Sequence, residues 1–274
     1  MNKPLVMGVV NVTPDSFSDG GRFLDAGAAL SHARRLIADG ADILDIGGES
    51  TRPGAEPVSK AEEIARVIPL IEAVRAESDI RISIDTMKPV VARAAVAAGA
   101  SMWNDVTALR WSDDSVSTAA DLSCEVVLMH MLGEPRTMQD SPRYDDVVAE
   151  VGAFLAERAE AAMAAGVTRE KIWLDPGIGF GKTVAHNLAL LANLDALVGL
   201  GFPVVLGASR KRFLAALDPA AKDPDQRLGG SLAAALTGAA AGVTAVRVHD
   251  VAETVQALKA WSAIRSSERS PSSC

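Results

Sequence analysis

Cysteine is nearly absent from the 274 residues: Cys124 and Cys274 are the only two, and they form neither a metal-ligand cluster nor a disulfide framework. That usage fits a reducing compartment, and a cytoplasmic location is expected. Positive charge is also in deficit, with 27 Lys and Arg against 35 Asp and Glu for a net charge of −8. The balance argues against non-specific nucleic-acid binding through the global field but leaves room for a local basic site. No convincing membrane span is present. The nineteen residues 228–246 carry no charge, yet they are mostly Ala and broken by Gly229, Gly230, Gly238 and Gly242. They read as a buried helix, a turn at Gly242 and a short strand. The N-terminus has too short an apolar stretch for a signal peptide and runs straight into strand-like sequence.

What the chain does have is 49% hydrophobic residues, enough for a substantial core, arranged in one repeated pattern. Short apolar runs end at a polar residue and give way to helical sequence: Leu5 to Val12 at Asn11, Ile43 to Ile46 around Asp45, Ile80 to Ile84 at Asp85, and Met102-Trp103 at Asn104-Asp105. The pattern continues with Val126 to Met129 at His130, Ile172 to Leu174 at Asp175, Val204 to Leu206 before Ser209, Arg210 and Lys211, and Val243 to Val248 at His249-Asp250. Pro89 sits in the first turn of one helix, Ser59 and Glu62 have capping-box spacing before another, and the run 185–197 is helical in composition.

Eight such units without a compositional break predict an α/β fold, a single-domain (β/α)8 TIM barrel over residues 1–265, followed by a Ser-rich disordered tail at 266–274. A doubly wound open sheet is the alternative. In a barrel, the polar residues at the carboxyl ends of the strands converge on one face, where such enzymes keep their chemistry.

The stretch Asp175-Pro176-Gly177-Ile178-Gly179-Phe180-Gly181-Lys182 opens one of these ends. It is not a nucleotide-binding P-loop, since Pro176 stands where that motif needs glycine. Nor is it a dinucleotide fingerprint, because its three glycines alternate. It reads as backbone brought close to a different flat or anionic ligand. Asp85, Asn104 and Asp175 are candidate readers of a polar heterocycle, because a carboxylate accepts paired hydrogen bonds from an amino-pyrimidine edge. Arg247 and His249, two apart at a strand end, point to the same side and, with Arg52, form a candidate phosphate site. Asn11 offers an amide oxygen to Mg2+, Thr51 and Ser209 offer hydroxyls, and Pro53 and Phe180 offer apolar faces to an aromatic second substrate.

These motifs resemble the dihydropteroate synthase family of bacterial, single-function type. The resemblance runs from about Leu5 to Trp261 and rests on the motifs Asn11 to Gly21, Asp45 to Gly54, Asp175 to Lys182, Ser209 to Lys211 and Arg247 to Asp250. It implies a transferase that condenses 6-hydroxymethyl-7,8-dihydropterin pyrophosphate with p-aminobenzoate for folate synthesis. It further implies that Asp85, Asn104, Met129, Asp175 and Lys211 hold the pterin. Asn11, Thr51, Arg52, Arg247 and His249, with Mg2+ on Asn11, hold the pyrophosphate. Arg52, Pro53, Phe180, Ser209 and Lys211 frame p-aminobenzoate, in the pocket that sulfonamides occupy. Asp85, Lys211, Arg247 and His249 are the expected catalytic residues. Small-molecule substrates are the implied partners, with no nucleic acid and no membrane, and a homodimer contacting through outer helices is expected, the small-residue helix 231–241 being a candidate face. The competing readings are a pterin-binding methyltransferase domain, which would not need Arg247 and His249, and a catalytically silent pterin-binding paralogue.

Overall fold

The computed structural model describes residues 3–12, 21–50, 56–133, 137–139 and 141–267, and of 21–26 the backbone alone. Eight strands form one parallel sheet: β1 Leu5–Asn11, β2 Ile43–Gly47, β3 Arg81–Asp85, β4 Met102–Asp105, β5 Glu125–Met129, β6 Ile172–Asp175, β7 Val205–Leu206 and β8 Ala245–Val248. Their spatial order is β6-β5-β4-β3-β2-β1-β8-β7. A parallel bridge between Leu174 and Val204, with Leu174 N–H donating to the Pro203 carbonyl at 2.8 Å, joins the two ends of that order and closes the sheet into a barrel.

Each strand alternates between the barrel interior and the layer beneath the helices. Met7, Ile43, Met102, Val127, Trp173, Val205 and Ala245 pack together inside, while their neighbours Val6, Leu44, Ile82, Trp103, Val126, Leu174 and Val246 belong to the larger core under the helices. The amino-terminal end of the interior is filled by an ion pair of Arg81 with Glu125, whose other oxygen accepts from Trp173 Nε1 at 3.1 Å. Arg81 also lies over the Trp173 ring, 5.4 Å from its centre.

The surrounding helices are α1 Gly21–Ala38, α2 Lys60–Glu77, α3 Pro89–Ala97, α4 Ser115–Leu122, α5 Val147–Ala164, α6 Val184–Ala192, α7 Leu194–Val198, α8 Arg212–Leu217, α9 Leu228–Ala241 and α10 Val251–Ser267. Pro89 begins α3 as expected, where its missing N–H costs nothing. Only half of the expected capping box forms on α2. Ser59 Oγ accepts from Glu62 N–H at 3.2 Å, but the Glu62 carboxylate turns to Arg66 at 2.5 Å instead of returning to the cap.

The run 185–197 is helical as expected, divided between α6 and α7 where Asn193 leaves helical geometry at φ −125 and its side chain donates to the Ala189 carbonyl at 2.8 Å, a local bond that competes with the helix ladder. The uncharged stretch is α9, a turn at Gly242 with φ 90, and β8. The small residues of α9 serve close packing, since a Cβ on Gly238 would come within 2.7 Å of Leu206 Cδ2. At the C-terminus α10 continues past the expected start of the tail, with Ser266 Oγ bonded to the Ser262 carbonyl at 2.9 Å and Ser267 Oγ to that of Ile264 at 2.7 Å. The remainder of the expected tail, 268–274, lies outside the described residues. Among the described residues no helix is long and apolar enough to cross a membrane.

Candidate active site at the carboxyl ends of the strands

Register decides which polar residues meet. Asp85 lies beside Gly47 on β2 and Asn104 on β4, Met129 lies beside Asp175, and Asn11 ends β1 beside Gly47. The closed barrel brings β8 next to β1, so Arg247 reaches across the mouth to β2 and β3. Its Nε donates to Asp45 Oδ2 at 2.5 Å and its Nη2 to Asp85 Oδ2 at 2.7 Å. Asp45 Oδ2 also accepts from Asn104 Nδ2 at 3.2 Å, which engages one amide N–H and leaves the Asn104 oxygen as an acceptor. Asp45 is fully buried, and its second oxygen has no hydrogen-bond partner.

The electrostatics follow from burial and charge together. Burial raises Asp85 to about 7, Arg247 opposes the rise, and Asp45 adds to it by like-charge repulsion. Burial also works against the Arg247 charge, but Asp45 and Asp85 outweigh it and raise that pKa. Burial lowers Lys211 to about 8 despite the nearby Asp175, whose own pKa burial raises. The local positive site expected from Arg247 and His249 therefore takes a different form among the described residues: the Arg247 guanidinium is already engaged by two carboxylates.

On the other side of the mouth, Asp175 Oδ1 accepts from Gly177 N–H at 2.7 Å. A Cβ on Gly207 would stand 3.6 Å from Asp175 Oδ2 and 3.8 Å from Arg247 Cδ, so glycine at the end of β7 keeps open the space between these two groups. The glycine stretch after β6 presses against the chain leaving β5. Gly177 adopts φ 65, and a Cβ there would fall 1.9 Å from the His130 carbonyl oxygen, which no side chain survives. Lys211 Nζ donates to the Ile178 carbonyl and lies 4.6 Å from the centre of the Phe180 ring. Ser209 Oγ accepts from His249 N–H at 3.2 Å and sits 3.1 Å from His249 Nδ1, tying together the ends of β7 and β8.

The apolar wall is built largely of methionine. Met129 packs with Met87, Val106, Met131 and Met138, and Phe180 rests against this cluster. Thioethers conform to a flat apolar face better than branched side chains do. The structure thus brings together Asp85, Asn104, Met129, Asp175, Phe180, Ser209, Lys211, Arg247 and His249, with Asn11 at the end of β1. Thr51, Arg52, Pro53 and the segment 13–20 lie outside the described residues. Cys124 stands just before β5, at the opposite end of the barrel from this face, and burial raises its thiol to about 11. No group of three or more His, Cys, Asp or Glu able to hold a metal occurs among the described residues.

A profile of the family described as pterin binding enzyme matches residues 7–249. The dihydropteroate synthase of Haemophilus influenzae is 46% identical over 264 residues, covering 96% of this chain and 94% of its own. The chain belongs to the dihydropteroate synthase family. Solved family members superpose closely. The Xanthomonas albilineans dihydropteroate synthase with 4-aminobenzoic acid matches at TM-score 0.91 and 52% identity, over 98% of this chain and 95% of that one. The same organism's enzyme in complex with 7,8-dihydropteroate matches at TM-score 0.88 and 50% identity, over 98% and 95%.

Within that family frame, sequence reasoning passed over three features: the bonds of Asp45 to Arg247 and Asn104, the methionines beyond Met129, and the buried Lys182. Asp45 was signalled by its place in a strand-end motif, and Met131 by its position two residues after Met129. Nothing local marks Met87 or Met138.

Proposed function

We propose that this chain condenses 6-hydroxymethyl-7,8-dihydropterin pyrophosphate with p-aminobenzoate, releasing pyrophosphate and 7,8-dihydropteroate, and that the residues gathered at the barrel mouth divide the work. The observation that carries the assignment of roles is the double engagement of Arg247 by Asp45 and Asp85. A pterin whose ring N–H groups bond to Asp85 takes that carboxylate away from Arg247. The Nη2 edge of the guanidinium is then free for the pyrophosphate of the same substrate. Asn104 presents its amide oxygen to the ring, Asp175 accepts from its amino-pyrimidine edge, and Lys211 donates to it. Met129 and its neighbours cover one ring face.

Bond breaking between the pterin methylene and the pyrophosphate oxygen leaves a cation shared by the ring nitrogens, and negative charge grows on the leaving group. Fixed carboxylates near the ring and fixed cations near the phosphates lower that barrier without reorganising. Arg247 and His249 receive the leaving group, with Thr51 and Arg52 completing its site. The arylamine nitrogen attacks the methylene carbon as a neutral nucleophile and its surplus proton passes to solvent or to the released pyrophosphate, so no dedicated general base is required. Phe180, Pro53, Ser209, Lys211 and Arg52 frame p-aminobenzoate and, by the same geometry, a sulfonamide.

The donor chemistry at Asn11 suits magnesium. It is a neutral, hard amide oxygen with no protein cage around it among the described residues, and magnesium keeps water and substrate phosphate as its other ligands. When bound, the ion neutralises charge on the leaving pyrophosphate. A second copy of the chain would meet the outer side of α9, where Gly229, Ala233, Thr237 and Ala240 are exposed. The assignment of roles is tested by Arg247→Ala, measuring affinity for the pterin pyrophosphate and for 7,8-dihydropteroate. A loss much greater for the pyrophosphate ligand is expected, and equal losses would remove Arg247 from the phosphate site.

A further inference from the structure

Lys182 is a buried lysine that the reaction does not use. It is 3% exposed, and its Nζ lies among acceptors from two segments: His130 Nδ1 at 2.9 Å and the His130 carbonyl at 3.3 Å on one side, the Gly177 and Phe180 carbonyls at 3.0 Å each on the other. No carboxylate among the described residues bonds to it directly. Burial and Lys211 lower its pKa to about 7 while Asp175 opposes them, so this ammonium is held at a cost that the carbonyls and the imidazole must offset. Burial and Lys182 depress His130 to about 3, which keeps its ring neutral and leaves Nδ1 to accept from the ammonium.

The backbone groups that Lys182 fixes belong to the segment that orients two site residues. Gly177, whose carbonyl it holds, donates its own N–H to Asp175 Oδ1 at 2.7 Å. Ile178, between the two held carbonyls, accepts from Lys211 Nζ, and a Cβ on Gly179 would meet Lys211 Cδ at 3.1 Å. Phe180 carries the ring beneath Lys211. His130, in turn, is wedged edge-on against Phe154 with ring centres 4.9 Å apart, so the post on which the lysine hangs is anchored in α5.

We propose that Lys182, braced by His130, is a positioning residue for the pterin site: it sets the glycine segment 177–180 at the height that aims Asp175 and Lys211 at the ring. The assignment rests on the pterin-condensing reading above. Lys182 does not touch substrate, and its contribution is the geometry of groups that do. Since small misplacements of reacting groups are costly, the effect on pterin recognition exceeds what lost stability alone would produce.

The test is Lys182→Met, a side chain of similar length without charge or donors, compared with Leu36→Ala, a buried substitution under α1 remote from the mouth. Thermal unfolding ranks the two for stability, and binding of 7,8-dihydropteroate together with steady-state kinetics gives the functional readout. We expect Lys182→Met to weaken pterin binding about 10-fold or more and to lower kcat/KM for the pterin pyrophosphate mainly through KM, while Leu36→Ala stays within about twofold of wild type. Wild-type pterin affinity in Lys182→Met, or an equal loss in both variants at equal stability, would overturn the proposal. Should Lys182→Met fail to fold, His130→Leu carries the test: weaker pterin binding supports the bracing role, and unchanged affinity refutes it. A wild-type protein that binds no pterin would instead refute the reading on which the proposal stands.

Discussion

Replacing Arg247 by Met should destabilise the protein in a manner that depends on pH, and the structure gives the size and the sign. The guanidinium pairs with fully buried Asp45 at 2.5 Å and with Asp85 at 2.7 Å. Removing one partner from a buried ion pair costs about 3–5 kcal/mol, because the remaining charge is left without compensation. At about 2.1 cal/mol/K per residue, 274 residues give an unfolding entropy of about 0.6 kcal/mol/K, so a loss of ~3 kcal/mol lowers Tm by about 5 °C.

The pH dependence comes from Asp85, whose folded-state pKa is raised to about 7, above the value it has unfolded. Between roughly pH 4 and 7 the folded state therefore binds more protons than the unfolded state, and this group's contribution to stability falls as pH rises. Without Arg247, which opposes the rise, Asp85 moves further up and the fall continues to higher pH. The stability deficit of Arg247→Met should thus be largest near pH 8, where Asp85 is ionised in the wild type, and smaller by ~1–2 kcal/mol near pH 5.5, where it is protonated. Circular dichroism melts of both proteins at the two pH values measure it. No deficit at pH 8, or the same deficit at both values, would refute the ion-pair account of the mouth.

Two further perturbations test the frame. Lys88 is buried with Glu49 at 2.9 Å and Glu63 at 2.6 Å, so Lys88→Met should cost about 3–5 kcal/mol by urea denaturation, and Glu63→Gln added to it should recover part of the loss; a double variant less stable than the single one would count against the pairing. Gly177→Ala should cost more than ~3 kcal/mol or prevent folding, because its Cβ would strike the His130 carbonyl, whereas Gly27→Ala in α1, with open space around it, should gain about 0.5–1 kcal/mol in the same assay. Equal effects at the two glycines would contradict the packing of the glycine stretch against β5.

Much of this fold can be read from sequence because parallel strands buried on both faces appear as short apolar runs, and every run here but that of β7 ends on a polar residue. Asp85, Asn104 and Asp175 stand out for that reason, and all three reach the mouth. Arg247 and His249 were legible as a pair by strand alternation, but the partners of Arg247 were not. Asp45 is 202 residues away in the chain, and only closure of the barrel between β8 and β1 brings it within reach. The same limit hid the Arg81–Glu125 pair at the far end of the interior, since local sequence does not show which charges a closed sheet turns inward. Composition alone does not show helix ends that side chains set. Asn193 breaks an otherwise helical run by bonding to Ala189, and Ser266 extends α10 by bonding to Ser262. Lys182 was visible as the last residue of a glycine motif, yet its role depends on His130, 52 positions earlier.

The central claim, that the mouth condenses a pterin pyrophosphate with an arylamine, is tested most directly by mass spectrometry of the products. Purified protein is incubated with 6-hydroxymethyl-7,8-dihydropterin pyrophosphate, p-aminobenzoate and Mg2+, alongside Arg247→Ala. The account predicts 7,8-dihydropteroate and pyrophosphate from the wild type and a severe loss of both from the variant. Pterin binding by the wild type without formation of either product would contradict it.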